Sequence, residues 1–336
     1  MFNETYFLMK KNIAVIMGGY SSEHDISVKS GTTVFNHIDL NLYNPYKVII
    51  DKDNWNLVTS DGVNYPIDRE HFNCTVNDVE INFELVFVMI HGTPGEDGVI
   101  QKYFDNLNIP YTGPSSEVAL LTFNKKSCVE FARKNNIRTA NSILIKENTD
   151  FSYEKIGEEL KFPLFVKANN SGSSYGISKV YNLKELEIAI ENSFEFDSEV
   201  LVEQFLDGKE VSVGVMNYEN EIKVFGITEI ATTNDFFDYE AKYEGKHEEI
   251  SPARINEIQK ENVEKAAKEI YVKLNMRGFS RSDFIFIGDT PFLLEVNSIP
   301  GMTEQSIFPK QVKMNNISLR KLFTYMIEDT LKNFKK

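Results

Sequence analysis

Two periods of apolar and polar positions alternate along this chain of 336 residues, and the switches between them mark its elements. Residues 12–17 (NIAVIM) form a continuous apolar run that stops at Gly18-Gly19, the pattern of a buried strand opening into a tight turn. A helix is expected from about Ile26 to His37, then strands at 46–51 (YKVIID) and 84–90 (ELVFVMI), and a helix after the turn at Gly98. Strands alternating with helices predict a parallel α/β layer. From about Pro114 the order changes to two helical stretches over 115–136, the strand FPLFVKA, a Gly/Ser loop, ISKV, a helix near 183–193 and the strand EVLVEQFL. That is a smaller α+β unit. Beyond Gly208, VSVGVMNY and EIKVFGITEI flank a turn at Glu219-Asn220, a polar stretch covers 231–252, and a helix of about 20 residues runs to Met276. A last hairpin and a helix close the chain.

The last hairpin, FSRSDFIFI-GDT-PFLLEVNS, holds the first candidate chemistry. With Gly288-Asp289-Thr290 as a three-residue loop, Ile287 faces Pro291, Asp283 faces Glu295 and Arg281 faces Asn297 on one side of the sheet. A two-residue loop would instead oppose Asp283 to Leu294 and split the carboxylates. Oxygens of Asp, Glu and Asn suit magnesium, which fills its octahedron with waters and substrate phosphates. Beside them Arg281 can neutralise a transferring phosphoryl group, and after Ile299-Pro300 the Gly301 N–H is a candidate oxyanion donor.

Two glycine-rich stretches add ligand-facing backbone. The connection ANNSGSSYG follows Lys167 at the end of an apolar strand and can aim backbone and hydroxyl donors at phosphate. It lacks the order of a Walker A loop, and GGYSSEHDIS lacks the third glycine of a dinucleotide fingerprint. The run from Ile90 to Gly98 (IHGTPGEDG) ends a strand where ligands of open α/β sheets collect. Taken singly, each of these is an ordinary turn, and Lys125, Lys167 and His91 are ordinary side chains.

Charge and cysteine content narrow the classes. With 36 basic and 50 acidic residues the formal charge is −14, which disfavours nucleic acid as a partner but leaves room for a small anion held by a few lysines. Cys74 and Cys128 fit no metal or disulfide spacing, and no long apolar core supports an export signal or a membrane span, so a cytoplasmic location is expected. Residues 1–9 read as a disordered extension.

In this order and spacing, GGYSSEHDISVKSG, IHGTPGEDG, VKANNSGSSYGISKV, VLVEQFLDGKE, FFDYEAKY, GFSRSDF and LLEVNSIPGMTEQS resemble the D-alanine-D-alanine ligases of the ATP-grasp superfamily, from about residue 12 to the end. The resemblance implies an α/β chain of three domains: an N-terminal parallel-sheet unit (10–113), a small central ATP-grasp unit (114–206) and a C-terminal ATP-grasp unit (207–336) with a mobile loop near 231–252. It implies Lys125, Lys167, Ser173 and Ser174 on ATP phosphates, Glu203, Gln204 and Leu206 around adenine, and Glu210 on ribose. Lys242 would approach the γ-phosphate, and Tyr243 would bond Ser173 and favour an amine as second substrate. Asp283, Glu295 and Asn297 match the ligands of two magnesium ions, with manganese as the alternative metal, and Arg281 and Gly301 match the transition-state stabilisers. The first substrate's ammonium is assigned to Asp25, read as standing where the family has Glu, with His91 supporting that pocket. Ser306 and Ile307 match positions that bind the second substrate's carboxylate.

The implied reaction phosphorylates one D-alanine with ATP and joins it to a second for peptidoglycan precursors, with a homodimer expected by analogy. The alternatives are a related ligase with another acceptor, such as D-lactate, or a nucleotide-binding regulator that has lost turnover.

Overall fold

The computed structural model describes residues 10–170, 172, 177–232 and 247–334. Its first sheet is built around β1 (Lys11–Gly18), whose interior positions are fully buried and which pairs in parallel with β2 (Tyr43–Ile50) and β7 (Leu85–Val88). Between those strands lies α1 (His24–His37), and α2 (Val99–Leu107) follows β7. The parallel layer expected from the sequence is three strands wide. Four further strands, β3 (Trp55–Val58), β4 (Asn64–Asp68), β5 (Asn73–Val76) and β6 (Val79–Asn82), extend it as an antiparallel meander. No strand was expected between 52 and 83, because these short strands leave most side chains at least partly exposed and show no apolar run.

The second sheet, ordered β10-β9-β11-β8, is antiparallel and comprises β8 (Ser142–Lys146), β9 (Leu164–Ala168), β10 (Ser178–Val180) and β11 (Glu199–Gln204). Its core is closed by α5 (Tyr153–Leu160) and α6 (Leu183–Phe194) through Ile156, Leu160, Leu186 and Ile190. Helices α3 (Ser116–Phe123) and α4 (Lys125–Lys134) precede that sheet in sequence, yet Cys128 and Ala132 of α4 join the core of the third sheet.

The third sheet runs β14-β13-β12-β15-β16, from β12 (Lys209–Tyr218), β13 (Glu221–Thr232), β14 (His247–Ile250), β15 (Phe279–Ile287) and β16 (Thr290–Asn297). Glu219 and Asn220 both take positive φ, +55° and +63°, which matches the right-handed twist of a two-residue hairpin. One face is covered by α7 (Glu257–Lys273), started by a reciprocal capping pair between Asn256 and Gln259. On the other lies α8 (Ile307–Met314), followed by α9 (Leu319–Asn333), whose Phe323 meets Phe87 of the first sheet with centroids 5.5 Å apart.

Helix α8 comes close to the sheet because Gly214 and Gly226, partners across β12 and β13, present no side chains to it. A Cβ on Gly214 would lie 2.8 Å from the Phe308 ring and nearer still to Gln311 Oε1. Gly214→Ala should therefore cost about 1–3 kcal/mol through overpacking, read as a lowered urea midpoint with unchanged slope.

Candidate functional site

One cavity of about 1040 Å³ opens where the three sheets converge. Its C-terminal wall is set by the last hairpin. Ile287 pairs with Thr290, so the loop has two residues, Gly288-Asp289, with Gly288 at φ +61°. That corrects the expected three-residue loop. The carboxylates are nevertheless opposed, because the register shifts after Asp283 and Leu294 is inserted as a bulge. Asp283 then faces Glu295, and Arg281 faces Asn297.

Asp283 is 8% exposed, and a buried carboxylate needs several donors. Arg281 supplies two, Nε to Oδ1 at 3.1 Å and Nη2 to Oδ2 at 3.0 Å. Asn297 Nδ2 donates to Oδ2 at 2.9 Å, and Ser212 Oγ from β12 donates to Oδ1 at 2.6 Å. The set fits magnesium by donor chemistry: Asp283, Glu295 and Asn297 lie on facing registers at one end of the cavity and offer oxygen donors. Among the described residues no three His, Cys, Asp or Glu side chains form a metal-holding group.

Two lysines face this wall. Lys125 opens α4, whose start is pinned to the end of β9 by its own N–H and that of Lys126, both bonded to Asn169. Its Nζ lies 3.7 Å from Glu295 Oε2. Lys167 of β9 is buried and its Nζ meets Glu203 Oε2 of β11 at 2.5 Å. Burial pulls its pKa down, but the Glu203 carboxylate, aided by Glu295, more than offsets this and raises it, so the ammonium stays charged. Gln204, Leu206 and Glu210 line the cavity beyond this pair.

The N-terminal wall comes from loops at the carboxyl ends of β1 and β7, where open α/β sheets hold ligands. Here one expectation is corrected. Asp25 lies outside the cavity, its side chain 91% exposed and bonded to His24, while Glu23 lines the cavity. The helix starts at His24 rather than Ile26, so the N-cap residue that turns toward the crevice is Glu23. A Cβ on Gly172 would fall 2.5 Å from its carboxylate.

His91 is 6% exposed and burial lowers its pKa, so the ring is neutral. Its Nδ1–H donates to Ile299 C=O at 3.0 Å, and its Nε2 accepts from Ser30 Oγ at 3.1 Å. Glu96, absent from the sequence assignment, lines the same wall. Burial first, and then the neighbouring Glu23 charge, push its carboxyl from the ordinary 4.5 to about 8. The Gly92 N–H donates to it at 2.8 Å.

The wall is completed by the segment after β16, including Gly301, Ser306 and Ile307. Ser306 Oγ lies 2.8 Å from Thr303 Oγ1 at the start of α8. Every sequence-assigned residue with a description lines this cavity except Asp25. Ser173, Ser174, Lys242 and Tyr243 lie outside the described residues. Glu23, Glu96 and Ser212 were missed. Of these only Glu23 carried a usable signal, its place just before the apolar stripe of α1.

Two family models match the chain, the D-Ala D-Ala ligase N-terminus over residues 12–114 and the D-ala D-ala ligase C-terminus over 133–328. A D-alanine–D-alanine ligase of Flavobacterium johnsoniae is 48% identical over 321 residues, 96% of this chain and 99% of that protein. Among solved structures, D-alanyl-alanine synthetase A of Vibrio cholerae superposes with a TM-score of 0.87 at 28% identity, covering 96% of this chain and 99% of its own. VanG D-Ala:D-Ser ligase of Enterococcus faecalis gives 0.85 at 32% identity, covering 95% and 99%.

Glu96 makes stability depend on pH with a definite sign. Between pH 4.5 and about 8 the folded chain keeps a proton here that the unfolded chain has released, so its contribution is full below 4.5 and is lost as pH rises through 8. Glu96→Gln should thus gain stability relative to the parent between pH 5 and about 8, measured as the difference in urea midpoints across that range.

Proposed function

Because the chain belongs to the D-alanine–D-alanine ligase family and joins two D-alanines at the expense of ATP for peptidoglycan precursors, we propose an assignment of roles within its cavity. The observation that carries it is one cavity lined at once by Lys125 and Lys167, an oxygen-rich hairpin, the Glu23 carboxylate and Gly301. We assign one sheet to each of three units divided near 114 and 207.

Lys125 and Lys167 hold the ATP phosphates, Glu203, Gln204 and Leu206 surround adenine, and Glu210 takes the ribose. Asp283, Glu295 and Asn297 hold magnesium, with manganese as the alternative; when bound, the metal offsets negative charge between ATP and carboxylate. Glu23 receives the ammonium of the first D-alanine. The first D-alanine's own carboxylate oxygen attacks the γ-phosphorus and the bond to ADP breaks, giving the D-alanyl acyl phosphate. The amine of the second D-alanine, whose carboxylate rests on Ser306 and the Ile307 N–H, attacks the carbonyl and expels phosphate. Arg281 and the Gly301 N–H stabilise the charge that gathers on oxygen in both steps. The use of ATP as substrate supports a cytoplasmic location, and no described helix is long and apolar enough to cross a membrane.

The deciding assay is phosphate release with D-alanine against L-alanine, D-serine and D-lactate, with mass analysis of the product. Release that depends on D-alanine with a matching dipeptide is expected; an ester or mixed dipeptide would reassign the acceptor. Glu23→Gln should raise the KM for D-alanine about tenfold or more, through loss of a charge-assisted contact, whereas Asp25→Asn should leave it within about twofold. Arg281→Ala should lower kcat by about 100-fold to 1000-fold with the fold retained, and an unchanged rate would remove Arg281 from the mechanism.

A further inference from the structure

Strand β16 ends at Asn297, so the segment that follows it, which carries Gly301, cannot rely on the sheet to fix its backbone. Buried backbone groups there need other partners. They find them in the N-terminal part of the chain. His91 Nδ1–H donates to Ile299 C=O at 3.0 Å, and Met302 N–H donates to Ser30 Oγ at 3.1 Å. Ser30 and His91 are themselves joined at 3.1 Å, and both Ser30 and Met302 have no exposed surface. The two bonds bracket Pro300-Gly301, and proline fixes one of the torsions between them.

The orientation of each hydrogen bond is determined. A carbonyl can only accept, so His91 is protonated on Nδ1, its Nε2 accepts the Ser30 proton, and the Ser30 oxygen is left to accept from Met302. Both ring nitrogens are thereby spent on the protein, although His91 lines the cavity. From its other side His91 is tied to the first-substrate end: Ser21 Oγ donates to His91 C=O at 3.1 Å and accepts from Glu23 N–H at 3.2 Å. One contiguous path of bonds therefore runs from Glu23 to the peptide bearing Gly301.

We propose that Ser30 and His91 are positioning residues, which clamp Ile299 and Met302 and so aim the Gly301 N–H at the oxyanion. The clamp makes the N-terminal wall, where the first amino acid is received, also the part that sets the oxyanion donor. This rests on the role given to Gly301 under the proposed function. The His91 ring nitrogens and the Ser30 hydroxyl are bonded to the protein, so the two residues act through the backbone they hold.

Three variants of the full chain separate positioning from general support: Ser30→Ala, His91→Ala and His91→Asn, whose amide nitrogen can stand in for Nδ1. The readouts are kcat and KM for D-alanine-dependent phosphate release, the Kd for ATP, and the Kd for a phosphinate dipeptide that mimics the tetrahedral intermediate. In Ser30→Ala and His91→Ala, kcat and phosphinate affinity should fall together by about tenfold to 100-fold while ATP affinity stays within about twofold, and His91→Asn should recover most of the loss. If ATP affinity falls in step with kcat, or if kcat and phosphinate affinity stay within about twofold of the parent, the clamp is rejected. A parent chain that binds ATP but releases no D-alanine-dependent phosphate rejects the ligase assignment itself and the clamp with it.

Discussion

A buried carboxylate cannot be left without donors, and Asp283 is the carboxylate around which the C-terminal half of the site is arranged. Its partners come from its own strand, from β16 and from β12, so three adjacent strands must keep one register for the charge to be satisfied. The requirement extends further. The carbonyl of Ser212 accepts from Gln311 of α8, and Gln311 also meets Thr228 of β13. Helix α8, which brings Ser306 to the cavity, is thus bonded to the same strand whose serine holds Asp283.

The two walls of the cavity handle buried charge in opposite ways. On the last hairpin Asp283 is paired with Arg281, and across the second sheet Glu203 is paired with Lys167. On the N-terminal side Glu96 pairs with no cation among the described residues and keeps its proton instead, beside a histidine that has lost its own. A neutral acid and a neutral base therefore stand on the wall that Glu23 shares.

Much of this was legible in the sequence where one pattern dominates. The apolar run 12–17, the Glu219-Asn220 turn and the alternation in the last hairpin each specify one local structure. Where the reading failed, a shift of one or two residues was enough. Starting α1 at Ile26 put Asp25 where Glu23 stands, because the capping position is defined by helix geometry and both residues are acidic. The hairpin reached the right pairing by the wrong loop, since a bulge at Leu294 restores the register that a two-residue turn removes, and a bulge between Leu293 and Glu295 leaves no mark in an apolar stretch. Glu96 and Ser212 take their meaning from neighbours far away in sequence, which no local pattern encodes.

The distribution of the cores divides the molecule unevenly. Phe279, Phe308 and Phe323 of the C-terminal part belong to the same continuous core as β1 and β7, whereas the second sheet encloses a core of its own. Parts that share a core move together at little relative displacement, and a part with a separate core can swing at lower cost. The end of the cavity between Glu23 and Gly301 is therefore built on the shared core, while Lys167 and Glu203 belong to the sheet with the separate core. With ATP held as proposed, nucleotide exchange would need only that smaller piece to lift, leaving the geometry of bond formation undisturbed from one turnover to the next.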